Sequence, residues 1–408
     1  MLDSYSKKIS ISVFKHLDKY IVKGRSKLIV TIVMDVPSTE NNGTSVACMN
    51  LVRYLVSCGD EVRLLGCDEQ KKEDPGYYFV PRIKFPPIIN SIVKKNDVAI
   101  AKPVNETIKK AFEGTDIVHI MIPFMQAHRA LKIAKEMNIP VTAGFHCQAE
   151  NVTSHIQLMN SKLANKLFYK TIYKSFFSKV DAIHYPTNFI RDIFEKETKH
   201  KTPGYVISNG VNELFVRNRT EKPEELKDKF VILFIGRFAK EKSHKVLIKA
   251  VKHSKYKDKI QLVFAGAGPR IKSAKRCARR CKINPPIIDF LSRSELVKLI
   301  NYSDLYCHPS EVEIEGIACL EAISCGLIPV ISDSQRSATR DFAVDGRCLF
   351  RNKNSKDLAE KIDFWIEHPD VKKEYEKRYL SFADNFSLLS SMKQMRDMLS
   401  EYSLIKGD

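Results

Sequence analysis

The sequence predicts an α/β protein built from two doubly wound, Rossmann-like halves. Three observations carry this. The chain has 408 residues, more than one hydrophobic core comfortably holds, so two domains are expected. From Lys27 a strand, a glycine-containing loop, a helix and a second strand follow one another, as KLIVTIVMD, VPSTENNGTS, ACMNLVRYLVSCG and EVRLLG. The same order starts again at KFVILFIGRF. Short apolar runs alternating with helical patterns mark a parallel sheet covered by helices.

The elements follow in order. Residues 1–26 read as an amphipathic extension: Val13, Phe14, Leu17, Tyr20 and Ile21 recur at helical spacing, with Lys15, Lys19 and Lys23 between them. The first half is expected over 27–208. Its first helix stops at Gly59, and TDIVHIMIP and IPVTAGFHC are strands flanking the helix AHRALKIAKEMN. The stretch 155–178 reads as helical and basic, and DAIHYPT and GYVISNG as short strands. The halves join near Ser208–Val211. The second half, 209–384, continues through IQLVFAGAGP, PPIIDFL, SDLYCHPS and LIPVISD, with helices between. Residues 385–408 make a last helix.

Composition bounds the function classes. A chain 44% hydrophobic and 28% charged is an ordinary globular protein. No apolar run approaches a membrane span, and MLDSYSKK lacks a signal-peptide core, so a cytoplasmic protein is expected. The ten cysteines show neither CxxC nor zinc spacing, which points to reduced thiols and no metal site. The formal net charge of +19 implies a polyanionic partner. No nucleic-acid motif accompanies it. The charge is therefore expected to serve a phosphorylated ligand or an anionic membrane.

The chemistry concentrates in a few stretches. HPSEVEIEGIACLEAISCGLIPVISD, residues 308–333, reads as strand, loop, helix, strand. Glu313 falls in the loop, and Glu321 about a turn inside the helix that Gly316 begins. Ligands of such units bind beyond the carboxyl ends of the strands, so both carboxylates can face one crevice; the alternative is two solvated charges. GRFAKEKSH follows the strand VILFI directly. There Gly236 permits close backbone approach, and Arg237 and Lys242 are placed to neutralise a diphosphate; the alternative is an ordinary basic loop. GAGP at 266–269 is a strand-to-helix turn, with or without a ligand contact. In NNGTS, backbone N–H groups at a helix start favour an anion. FHCQAEN places His146 beyond a strand end, whereas His119 is expected to pack inside.

With these motifs in place, the sequence from about residue 27 resembles the retaining GT-B glycosyltransferases of family GT4. The family's Glu-x-Phe-Gly and following Glu-Ala stand here as Glu313-Ile314-Glu315-Gly316 and Glu321-Ala322, with GLIPVI after them. GRFAKEK resembles its GRL-x-x-EK, SNGV at 208–211 its inter-domain NGVD, and FSLLSSMKQMRDML its last helix. The resemblance implies a GT-B fold, two Rossmann-like domains facing a central cleft, with the C-terminal helix crossing back to the N-terminal domain. It implies a hexosyltransferase whose donor is a nucleotide-diphosphate sugar, UDP-glucose or UDP-galactose, and which needs no cofactor and no metal. Arg237 and Lys242 would hold the phosphates, beside Gly236. Glu321 would bind the ribose hydroxyls. Glu313 and the backbone at Gly316 and Ile317 would contact the sugar, His146 would meet it near its 6-hydroxyl, and Gly43 and Thr44 would close over the diphosphate. One departure stands out. The family carries an aromatic where this chain has Glu315, so a second carboxylate is expected on the sugar loop, in competition with Glu313.

The stretch 155–179 suggests the acceptor. Lys162, Lys166, Lys170 and Lys174 recur every four residues, and Leu163, Leu167, Phe168, Ile172, Phe176 and Phe177 are expected to cover other faces. No acid occurs from 151 to 180. A basic helix with aromatics reads as a membrane-surface element, each lysine contributing about 1 kcal/mol near an anionic leaflet. Diacylglycerol glucosyltransferases of the family carry a basic amphipathic region near here. The resemblance thus implies a lipid acceptor at the inner face of the cell membrane. The alternative is a soluble enzyme of capsule or surface polysaccharide synthesis acting on a lipid-linked glycan.

Overall fold

The computed structural model describes residues 27–36, 43–83, 99–154 and 158–404. The amphipathic extension read over 1–26 lies outside them. The described chain divides into two units. The first takes its residues from 27–149, 160–207 and 389–404, the second from 150–159 and 208–388.

The first unit is a seven-stranded parallel sheet: β1 (Ile29–Val33), β2 (Glu61–Gly66), β3 (Tyr77–Phe79), β4 (Ile117–Ile120), β5 (Val141–Gly144), β6 (Ala182–Tyr185) and β7 (Gly204–Val206), in the order β3-β2-β1-β4-β5-β6-β7. Each of the four residues of β4, β5 and β6 is buried. This is why these strands read as short, mostly apolar runs without polar alternation: parallel sheets are covered on both faces. Between the strands run α1 (Gly43–Ser57), α2 (Asn105–Phe112), α3 (Met125–Glu136), α4 (Ala149–Ser154), which from Glu150 on belongs to the second unit, α5 (Lys162–Ser175) and α6 (Asn188–Thr198). β3 is absent from the sequence reading because three residues, YYF, carry no periodicity.

The second unit repeats the plan with β8 (Phe230–Ile235), β9 (Ile260–Ala265), β10 (Ile287–Asp289), β11 (Leu305–His308), β12 (Pro329–Ser332) and β13 (Leu349–Phe350), ordered β10-β9-β8-β11-β12-β13 and parallel throughout. Its helices are α7 (His244–His253), α8 (Ile271–Cys281), α9 (Arg293–Tyr302), α10 (Ile317–Ser324), α11 (Ser355–Glu367) and α12 (Pro369–Ala383). Its core gathers Phe234, Phe264, Leu320, Ile331 and Trp365, all nearly inaccessible to solvent. In both sheets the order reverses between the first and fourth strands, β1 against β4 and β8 against β11. These reversals are the switch points at which such folds bind ligands.

The last helix, α13 (Leu388–Ser403), belongs to the first unit from residue 389 on. Arg396 fixes it there. Its Nε donates to Asp60 Oδ2 at 2.7 Å and its Nη2 to Oδ1 at 2.8 Å, a two-pronged pair with both side chains buried. Asp60 also accepts from Leu28 N at 3.1 Å, so one carboxylate joins the start of β1 to the last helix.

Candidate active site

The second unit's site is built on the two strands that flank its switch point. After β8 the chain turns at Gly236, whose φ of +149° lies outside the range L side chains adopt readily. A Cβ on Gly266, in the loop after β9, would fall 2.2 Å from Gly236 O. The GAGP glycine is therefore explained by this close approach of two backbones. Phe238 N then donates to Ala267 O at 2.7 Å, and Phe238 stacks on buried His244 at 4.2 Å between ring centroids. The loop that carries Arg237 and Lys242 is thus rigidly seated before its cations are placed.

Those cations differ. Arg237 is half exposed and lies 3.4 Å from Glu241. Lys242 reaches across to the loop after β11, where its Nζ pairs with Glu313 Oε1. His308, the last residue of β11, has its Nε2 3.2 Å from the same oxygen, and its Nδ1 lies 3.0 Å from Tyr306 Oη. Burial alone would raise the Glu313 pKa, but Lys242 and His308 together hold it well below the usual carboxylate range. Burial pushes His308 down, against the pull of Glu313. The result is a carboxylate that stays ionised beside one ammonium group.

The loop from β11 to α10 carries three glutamates with three separate sets of partners. Glu311 accepts from Ser243 Oγ at 2.9 Å and Arg336 Nη2 at 2.9 Å, and pairs with Lys353 at 2.8 Å. Glu313 takes Lys242. Glu315 is buried, accepting from Ser208 Oγ at 2.5 Å, Asn209 N at 3.1 Å and Asn209 Nδ2 at 2.6 Å. The expected competition of Glu315 with Glu313 is therefore overturned: these donors of Ser208 and Asn209 claim its carboxylate.

Gly316, at φ +87°, ends the loop and opens α10 without a side-chain cap. A Cβ here would meet Thr339 Cγ2 at 2.2 Å, so only glycine fits the turn. An uncapped helix start leaves backbone donors available to an anion or hydroxyl, and Ile317 is its first residue. Glu321 lies one turn on. Among the described residues it makes no hydrogen bond or ion pair. Burial pushes its pKa up to about 7, against the charge of Arg293. A sheltered carboxylate without a protein partner is an acceptor waiting for hydroxyl donors.

The remaining expected residues belong to the first unit. Gly43 and Thr44 are the first residues of α1, Gly43 exposed; Asn41 and Asn42 lie outside the described residues. His146 follows β5. Its ring folds back over Gly144, where a Cβ would fall 2.6 Å from Nε2, and its Nε2 is buried without a hydrogen-bond partner. His184 stands edge-on at 5.7 Å. Burial, with the nearby His184 and His119, holds His146 well below its ordinary pKa. His119 is buried on β4, its Nδ1 2.9 Å from Thr142 Oγ1. No group of three or more His, Cys, Asp or Glu side chains able to hold a metal ion occurs among the described residues.

α5 presents a face other than the expected one. Asn165 and Tyr169 are its buried residues. Lys162, Lys166, Lys170 and Lys174 are exposed, and so are Leu163 (78%) and Leu167 (63%) between them. The leucines expected to cover another face share the lysines' side of the helix.

Two family models match the chain. "Glycosyltransferase Family 4" matches residues 41–213 and "Glycosyl transferases group 1" residues 216–380. Among characterised proteins, the chain is 29% identical to an alpha-monoglucosyldiacylglycerol synthase of Streptococcus pneumoniae, over 53% of this chain and 51% of that protein. The match thus spans about half the relative's length. It is 24% identical to the protein of the same name from Acholeplasma laidlawii, over 81% of this chain and 86% of that one. Among solved structures, a glycosyltransferase from Rickettsia africae superposes with a TM-score of 0.69 at 19% identity, over 93% of this chain and 99% of that one, which speaks to the fold.

Proposed function

The chain belongs to the family 4, group 1 glycosyltransferases, and from that premise we propose that it transfers glucose or galactose from a UDP-sugar to a diacylglycerol-type lipid at an anionic membrane surface, with retention of anomeric configuration and without a metal ion. The observation that carries the donor half is the grouping of Lys242, Glu313 and the uncapped α10 at one switch point. In the reaction the anomeric C–O bond to the diphosphate breaks, and a C–O bond to the acceptor hydroxyl forms on the same face. The hydroxyl proton passes to a phosphate oxygen of the leaving group. Charge develops on that diphosphate, where Arg237 and Lys242 stabilise it, while the N–H groups at Gly316 and Ile317 face the sugar. Glu321 accepts the ribose hydroxyls and Glu313 faces the sugar.

The acceptor half rests on α5. Exposed leucines between exposed lysines suit a helix lying in a lipid headgroup layer, with its apolar side chains reaching inward and its ammonium groups on phosphates. The names of the two relatives agree with a diacylglycerol acceptor. No helix among the described residues is long and apolar enough to cross a membrane. The contact proposed is a peripheral one on the inner face.

A screen of radiolabelled nucleotide sugars against extracted membranes tests this reading. Label from UDP-glucose or UDP-galactose should enter the chloroform-soluble lipid. Label appearing instead in a water-soluble or polyprenol-linked glycan would replace the diacylglycerol acceptor with a lipid-linked glycan. No transfer from any nucleotide sugar would leave a binding protein.

A further inference from the structure

Glu315 is the one residue of the donor loop that departs from the family pattern, and it is also buried. Three donors converge on its carboxylate: the hydroxyl of Ser208, the backbone N–H of Asn209 and the side-chain amide of Asn209. Ser208 Oγ in turn accepts from Gly210 N at 3.0 Å, which leaves its own proton directed at Glu315. An aromatic ring offers these donors nothing, so Glu315 and the Ser208–Asn209 pair are matched to each other. The segment they belong to is anchored further. Val211 N donates to Phe386 O at 2.8 Å, and Leu388 N to Val211 O at 3.1 Å. Glu315 therefore grips an anchored segment.

The other side of Glu315 is the site. Glu313 lies two residues before it, with its backbone held by Arg336 O at 3.3 Å and Ala338 N at 2.9 Å. Gly316 lies one residue after it, at the turn into α10. Displacing Glu315 by a fraction of an ångström moves both Glu313 and the first N–H groups of α10. Arg237 and Lys242 are carried by the loop after β8 and Glu321 lies a turn inside α10, so the nucleotide's phosphates and ribose depend on this grip less than the hexose does.

We propose that Glu315 is a positioning residue for the sugar moiety of the donor: by binding Ser208 and Asn209 it sets Glu313 and the turn at Gly316 where the hexose is recognised. This rests on the reading of the site as one for a nucleotide sugar. It assigns Glu315, Ser208 and Asn209 to recognition of the hexose, not of the nucleotide.

Calorimetric titration of the full chain with UDP, UDP-glucose and UDP-galactose tests it. In Glu315→Gln one accepting oxygen becomes a donor facing other donors. UDP affinity should stay within about twofold of the parent's, while affinity for the preferred UDP-hexose should fall about tenfold, the loss of one charge-assisted hydrogen bond. Asn209→Ala should show the same selective loss, and the double variant should lose little more than either single one. Ser208→Ala, a milder change, gives the same comparison if Glu315→Gln does not fold. Equal weakening for UDP and UDP-hexose would mean a merely structural role and overturn the proposal, as would unchanged UDP-hexose affinity in both Glu315→Gln and Ser208→Ala. A parent protein that binds neither UDP nor either UDP-hexose would sink the donor reading itself, and this proposal with it.

Discussion

Lys242 and Glu313, 71 residues apart in the chain, form an ion pair at the switch point of the second sheet, with His308 3.2 Å from the same carboxylate oxygen. Both side chains are mostly shielded from water. The pair brings the loops after β8 and β11 together, and it holds the Lys242 ammonium group in place.

Removing one partner separates structure from catalysis. Lys242→Met leaves Glu313 with an uncompensated charge, which should cost about 3–5 kcal/mol of stability and lower turnover about 100-fold. In Lys242→Met/Glu313→Gln the stranded charge is gone. Urea denaturation should show stability largely recovered, while turnover stays low. Recovery of both together would reduce the pair to a structural role. Loss of neither in the single variant would count against the donor site as a whole.

Glu321 gives the site a pH dependence. Its folded-state pKa of about 7 lies above the ordinary 4.5, so the folded protein holds this proton more tightly than the unfolded chain. Its contribution to stability falls as pH rises from about 4.5 to about 7 and is level above that. Glu321→Gln should flatten this slope and raise stability at pH 8 by on the order of 1–3 kcal/mol. Nucleotide affinity should run the other way, because ribose hydroxyls need the carboxylate. In the parent it should weaken as pH falls below about 7, and in Glu321→Gln it should be lower and flat. A parent affinity that is constant from pH 6 to pH 8 would remove Glu321 from the ribose site.

The site's outline was legible in the sequence because its residues follow strands that read clearly. FVILFI and LYCH are buried apolar runs, and their loops carry the basic and acidic residues at recognisable spacing. What stayed hidden depends on distant partners. Glu315 reads as a second carboxylate on the sugar loop until Ser208, 107 residues away, is seen bound to it. His308 reads only as the end of a strand, and its place beside Glu313 is a tertiary fact. On α5 the helical spacing gave the lysine stripe but not the buried face, because Asn165 and Tyr169 are buried by packing that hydrophobicity does not rank above Leu163 and Leu167. β3 and β13, with three and two residues, are too short to leave a pattern.

Arg396 should matter to stability far from the chemistry. Arg396→Met strands buried Asp60 and should cost about 3–5 kcal/mol, seen as a lower urea midpoint. Asp60→Asn/Arg396→Met should recover part of that loss. A neutral single variant would show that α13 is held by its apolar contacts alone.

The α5 face should respond to charge reversal. Changing Lys162, Lys166, Lys170 and Lys174 to Glu should alter stability little, since exposed substitutions usually cost within about 0.5 kcal/mol each. Flotation with anionic vesicles should be lost, and in the parent it should already weaken with salt. Leu163→Ser/Leu167→Ser should weaken binding while leaving much of the salt dependence in place. A quadruple variant that floats as well as the parent would move the membrane contact elsewhere on the chain.

The most direct measurement is the product itself. Purified protein is incubated with UDP-glucose or UDP-galactose and diacylglycerol in anionic vesicles, in excess EDTA, and the lipid product is analysed by proton NMR. The expected product is a monohexosyl diacylglycerol whose anomeric coupling shows the α configuration of the donor, formed at an undiminished rate in the chelator. A β-linked product, a rate abolished by EDTA and restored by a divalent ion, or no glycolipid from either donor would contradict it.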